Sequence, residues 1–157
     1  MMKYILGLLL LVGISSADFI RDDVKEIVID TSTNLIWQDE EYTQAEVDAY
    51  NSNKNDESEK ALHWDSAIDY CEKLTFAEHN DWRLPNFNEL HTIADKSSSG
   101  FVINPVFKNF IDKYYWSSTT YNNSTGNAWQ VCFHCGDSRE WSKADTRYVR
   151  CVRSAGN

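Results

Sequence analysis

Short apolar runs at two different periods mark out this chain, and they predict small elements. Residues 24–29 and 35–38 are rich in Val, Ile, Leu and Trp and predict two strands joined by a polar turn at 30–34. Asn34 suits the left-handed backbone such a turn needs. From 62 to 74 the apolar positions Trp64, Ala67, Ile68, Cys71 and Leu74 recur at helical spacing, which predicts a helix with Cys71 on its buried face. A second helix is predicted from Phe87 to about residue 95, where Leu90, Ile93 and Ala94 continue the stripe. Its start is marked locally. Pro85 holds Leu84 extended, Asn86 is a good N-cap, and Glu89 stands in the capping-box position.

Residues 101–110 surround Asn104 and Pro105 and predict an irregular stretch. Aromatic and branched residues then dominate 114–121, 128–134 and 147–153, predicting three strands separated by polar turns at 122–127 and 136–143. Residues 39–60 are the most polar part of the chain. Thr43 and Glu46 are spaced to cap a short helix there, but the composition favours a solvated surface excursion. Two helices followed by a mainly antiparallel sheet, with a hairpin near the start, indicate a single α+β domain over 18–157.

Lys3, the apolar run 4–14 and the small residues Ser15, Ser16 and Ala17 have the layout of a cleaved signal peptide over 1–17. A retained N-terminal anchor is the alternative, but the run is shorter than the ~20 residues a spanning helix needs. An exported protein is expected, secreted, periplasmic or at the cell surface, with no membrane span after cleavage. In an oxidising compartment four cysteines make two disulfides, with three possible connectivities. Fifteen Lys and Arg against 24 Asp and Glu leave a net charge of −9. That excludes nucleic acid as a partner and disfavours acidic membranes and sulfated polysaccharides. Six Trp, eight Tyr and seven Phe make the core or its rim unusually aromatic.

The run Asp81-Trp82-Arg83-Leu84-Pro85-Asn86-Phe87-Asn88-Glu89-Leu90 resembles the signature of the Lcl C-terminal domain family. These are bacterial extracytoplasmic domains named after a Legionella collagen-like adhesin. Four more blocks fit the pattern in order: Asp30 to Gln38 with Trp37, Trp64 to Leu74, Tyr115-Trp116-Ser117-Ser118-Thr119, and Val149-Arg150-Cys151-Val152-Arg153. The resemblance implies a fold similar to C-type-lectin-like domains, with both chain ends in one sheet. It also implies a Cys71–Cys151 disulfide, leaving Cys132 and Cys135 to each other. In the chain-entropy model a loop that long contributes about 4–5 kcal/mol. Trp37, Trp64, Trp82, Arg83, Pro85, Glu89 and Trp116 are then structural signature residues.

Candidate chemistry is sparse. Arg83 beside Glu89 is able to bind an anion, but a satisfied internal ion pair is the preferred reading. Cys132, His134 and Cys135 invite a metal or redox reading, the alternative being a small exported oxidoreductase or metal enzyme. Zinc needs further ligands, and a redox Cys-x-x-Cys opens a helix rather than ending a strand. No Gly-x-Ser-x-Gly elbow and no Gly-rich phosphate loop occurs, so no cofactor is expected. The chain is similar by fold to formylglycine-generating sulfatase-modifying proteins. Their cysteine spacing differs, however, and the calcium motifs of C-type lectins are missing too. There remains a polar, aromatic rim on the last sheet. Tyr121, Asn122, Asn123 and Trp141 are the candidate ligand-binding residues, for a glycan or a protein ligand. The expected function is a noncatalytic recognition or adhesion module.

Overall fold

The computed structural model of the protein describes residues 19–52, 59–96 and 101–156, and the expected signal peptide lies outside them. A hairpin of β1 (Phe19–Asp22) and β2 (Ile27–Asp30) leads into β3 (Leu35–Gln38). The strand expected from Val24 therefore starts later. The Asp22 carboxylate accepts the backbone N–H groups of Val24 and Lys25 at 2.9 and 3.0 Å, which bends the chain and leaves Val24 94% exposed. Asn34 adopts the expected left-handed conformation, with φ of 55°.

The polar stretch after β3 is more than a solvated excursion. Thr43 and Glu46 form a full capping box that starts α1 (Gln44–Asn51). Asp39, Glu46 and Lys60 are buried. Composition misled here because these charged residues face inward, where Asp39 meets Arg21 and Arg150, Lys60 meets Glu40, and Glu46 bonds back to Thr43. Both Asp39 oxygens are used. They accept the backbone N–H groups of Lys108 and Asn109 at 2.9 and 3.2 Å, one Arg150 Nη1 bond at 2.8 Å, and a contact from Arg21. Buried charge persists only when satisfied in this way.

β4 (Ala61–Leu62) precedes α2 (Trp64–Lys73), which buries Ala67 and Cys71 as the periodicity predicts. α3 (Phe87–Thr92) is shorter than expected, but its Asn86 and Glu89 make the predicted capping box. The last third holds β5 (Tyr114–Thr120), β6 (Asn127–Cys132), β7 (Ser138–Ser142), β8 (Arg147–Tyr148) and β9 (Val152–Ser154). Two expectations change here. The segment 136–143, read as a turn, contains β7, and the single strand expected over 147–153 is two.

The strands form two sheets rather than one, in the orders β1-β2-β3-β9 and β4-β8-β5-β6-β7. Pairing is antiparallel except between β5 and β8. The architecture is α+β, and both ends of the described chain meet in the first sheet. Residues 149–151 carry the chain from one sheet to the other, and the buried Arg150 holds the crossing by donating to the carbonyl of Gln38.

β3 is buried along its whole length and divides the interior. Val28, Leu35 and Trp37 join Leu90, Tyr115, Phe133 and Tyr148 in one cluster. Ile27 and Ile36 join Ala67, Trp82, Trp116 and Cys151 in the other. In that second cluster Cys71 and Cys151 are bonded, Cα atoms 5.5 Å apart, fastening α2 to the crossing segment. The pairing implied by the resemblance is therefore present. Cys132 and Cys135 make the second disulfide.

Candidate functional site

Strand register sorts the residues of the second sheet onto two faces, because directly paired residues point the same way. Tyr114 pairs with Cys132, Trp116 with Gln130, Gln130 with Arg139 and Ala128 with Trp141, so these side chains share one face. Tyr115, Val131, Trp129 and Glu140 lie on the other. α3 covers that second face: the Phe87 ring lies 4.9 Å from Trp129, and His91 contacts Ser138 at 3.3 Å. α2 covers only the part of the first face around Trp116 and Ala128.

The rest of the first face carries alternating cations and rings. The Arg139 guanidinium lies 4.6 Å from the Tyr114 ring centre and 5.3 Å from that of Trp141. Arg147 lies 5.1 Å from Trp141 and 5.7 Å from Trp116. Lys143 Nζ is 3.6 Å from the centre of the Trp64 ring. Each such contact is worth about 0.5–1 kcal/mol at an exposed site and more when desolvated. The Trp141 indole N–H is held by Asp145, and the Tyr114 hydroxyl donates to Asp137 at 2.9 Å. Arg147 is fixed from below, Nε donating to Gln130 Oε1 and Nη1 to the Thr146 carbonyl. Burial pushes the Arg147 guanidinium below its usual pKa; Asp145 opposes the shift and the Arg139 charge adds to it. Gln130 itself is fully buried, and its Nε2 has no acceptor among the described residues.

Beside this array, between the starts of β5 and β8, lies a pocket of about 110 Å³ with Ala61, Tyr114, Arg147 and Tyr148 in its wall. Lys113 and Thr146 complete the lining, which contains no carboxylate.

The expected binding residues do not all come together. Trp141, 38% exposed, belongs to the cation-ring array. Tyr121 packs edge-on against Trp129, ring centres 5.5 Å apart, and therefore lies on the opposite face. Asn123 donates to the Tyr121 hydroxyl at 3.0 Å and goes with it, while Asn122 is exposed in the same turn. Sequence reading missed Tyr114, Gln130, Arg139 and Arg147. The usable signal was the alternation of Arg139 and Trp141 in Ser-Arg-Glu-Trp-Ser, concealed by taking the segment for a turn.

The other constellations are engaged within the fold. Arg83 donates from Nη1 and Nη2 to the two Glu89 oxygens at 2.7 Å each, while its backbone bridges to Val152. Burial pushes the Glu89 carboxyl upward, but the Arg83 and Asn86 hydrogen bonds outweigh it and hold the pKa below the usual range. Trp37, Trp82, Pro85 and Trp116 are buried and Trp64 half-buried; Trp64 and Trp116 donate their indole N–H groups to backbone carbonyls at 2.8 and 2.9 Å. Ser117 is buried and donates to the Trp129 carbonyl at 2.8 Å, so its hydroxyl is engaged as scaffold. His134 turns to Asp112 at 3.4 Å, away from the sulfur pair. The carboxylate that does approach Cys132 and Cys135 is that of Asp137, within 4.8 Å. Three ligands of this kind suit a metal only when both sulfurs are thiolates, and here they are bonded to each other.

The family model described as the Lcl C-terminal domain matches residues 26–153. A comparison with curated proteins returns no match.

Proposed function

The chain belongs to the Lcl C-terminal domain family, and from that membership we propose that it is an exported, noncatalytic recognition or adhesion module. Its ligand on this reading is a glycan or the surface of another protein. The observation that carries the proposal is the array of exposed Trp141 and Arg139 with half-buried Arg147, on a sheet braced from its far side by α3. A rigid strand platform presenting an aromatic anchor and fixed donors is what recognition sites require. Export is supported by two disulfides, which persist in oxidising compartments. Among the described residues, no helix is long and apolar enough to cross a membrane. A noncatalytic role is supported by the commitments of the reactive groups, since the cysteines are bonded and the Ser117 proton serves a backbone carbonyl.

The test is retention of the purified, oxidised protein on immobilised glycans and on intact cells, for the wild type and Trp141→Ala. Selective retention that Trp141→Ala loses, at unchanged melting temperature, is the expected result. Equal retention of both proteins, or none by the wild type, overturns the reading. Two titratable thiols with a bound metal in the protein as isolated would instead favour the small exported enzyme.

A further inference from the structure

We infer that the pocket beside Arg147 is a subsite for a single carboxylate, the acid group of a uronic-acid-type sugar. The inference rests on the recognition reading above and names the ligand chemistry. It begins from an imbalance. The protein carries a net charge of −9, yet this corner offers donors in excess. Neither Arg139 nor Arg147 makes an ion pair among the described residues; their contacts are rings, an amide oxygen and a backbone carbonyl. Beneath Arg147, the buried Gln130 accepts the guanidinium Nε–H and holds the cation at the pocket's edge.

Arg147 is also positioned in advance. Nε and Nη1 are engaged, so the plane of the guanidinium is set while Nη2 remains for an incoming oxygen. A planar guanidinium fixed this way matches a carboxylate in geometry as well as charge. Arg139, exposed and stacked on Tyr114, places a second positive charge nearby. The pocket, about 110 Å³, has room for one acidic group with part of a sugar ring rather than for a length of chain. The Tyr114 ring in its wall suits the carbon face of such a sugar.

The surroundings limit the ligand's charge. Asp137 and Asp145 flank the array, bonded to its Tyr114 and Trp141 rings. A densely charged polyanion laid across this surface meets those carboxylates and the protein's overall field, whereas one carboxylate entering the pocket meets the guanidiniums first.

The experiment is a nitrogen-15 NMR titration of the oxidised protein with sodium D-glucuronate, with D-glucose and sodium sulfate as comparisons. Glucuronate should shift the Gln130 side-chain amide and the Tyr114 and Arg147 signals saturably, glucose should not, and sulfate should bind at least about tenfold more weakly. Arg147→Gln should weaken glucuronate about ten- to a hundredfold, the range for loss of a hydrogen bond to a charged group. Arg139→Gln should weaken it severalfold. A glucuronate response no different from that of sulfate or glucose overturns the inference, as does an Arg147→Gln protein of native spectrum that binds like wild type. If Arg147→Gln disturbs the fold, Arg139→Gln decides, and unchanged affinity there overturns it. Retention of neutral glycans without any glucuronate response would sink the carboxylate subsite and leave the recognition module standing. Failure of every glycan and cell surface would remove both.

Discussion

Arg83 and Glu89 meet through two parallel hydrogen bonds of 2.7 Å, and the same Glu89 carboxylate accepts the Asn86 N–H at 2.8 Å to cap α3. One side chain thus joins a helix start to the residue that bridges β9. The Arg83 side chain is 41% exposed, so the pair is partly screened by solvent and is not the deeply buried ion pair that the sequence context suggests.

Arg83→Ala should cost about 1–2 kcal/mol, combining a screened bidentate pair with a loosened cap, or roughly 3–8 °C in melting temperature. The Glu89 pKa is held below its usual 4.5, so its contribution is full above that value and is lost as pH falls through the lower folded pKa. Melting curves of wild type and Arg83→Ala should therefore converge on acidification below about pH 4. A constant gap down to pH 2 would show that the pair contributes nothing electrostatic.

Asp39 should be far less replaceable. It is completely buried between Arg21 and Arg150, both of them also shielded from water. Asp39→Ala leaves two guanidiniums and two backbone N–H groups without their acceptor, which should cost about 3–5 kcal/mol. Urea unfolding measures this directly. A loss under 1 kcal/mol would mean that water enters and replaces the carboxylate.

The two disulfides should differ in worth. Cys71–Cys151 closes a sequence separation of 80 and Cys132–Cys135 one of 3. The chain-entropy relation assigns the first about 4.5 kcal/mol and the second about 2. Replacing both members of each pair with Ala and comparing denaturation midpoints should give that order. Peptide mapping without reductant should recover the Cys71–Cys151 linkage. Cys71 joined to Cys132 or Cys135 would contradict the packing of α2 on the crossing segment.

Trp141→Ala and Asn123→Ala should separate, because the two residues lie on opposite faces of the second sheet. Trp141→Ala should weaken retention on whichever immobilised glycan holds the wild type by about 1–3 kcal/mol. Asn123→Ala should leave retention unchanged, and neither change should lower stability by more than about 1 kcal/mol. The reverse ranking would place the site on the Tyr121 face.

Much of the scaffold was legible in residue order, because the forces that set it are local. The α2 stripe ending at Cys71 and Leu74, the Asn86–Glu89 capping box and the left-handed Asn34 each depend on neighbours a few positions away. The blocks around Trp37, Trp82 and Trp116 likewise carried the family pattern. Tertiary structure alone decided what depends on distant partners. Polar composition suggested solvent for Asp39 and Glu46, but Arg21 and Arg150, remote in sequence, make the burial of Asp39 tolerable. The same partners turn residues 149–151 into a crossing that splits one expected strand between two sheets. The candidate site was decided at this level as well. Strand period places Arg139 with Trp141, but only sheet pairing brings Gln130, Tyr114 and Arg147 under and beside them. Only the register of β5 and β6 puts Tyr121 on the far side. Side-chain chemistry is written residue by residue, whereas the face on which it acts is set by hydrogen bonds between strands that the chain order leaves far apart.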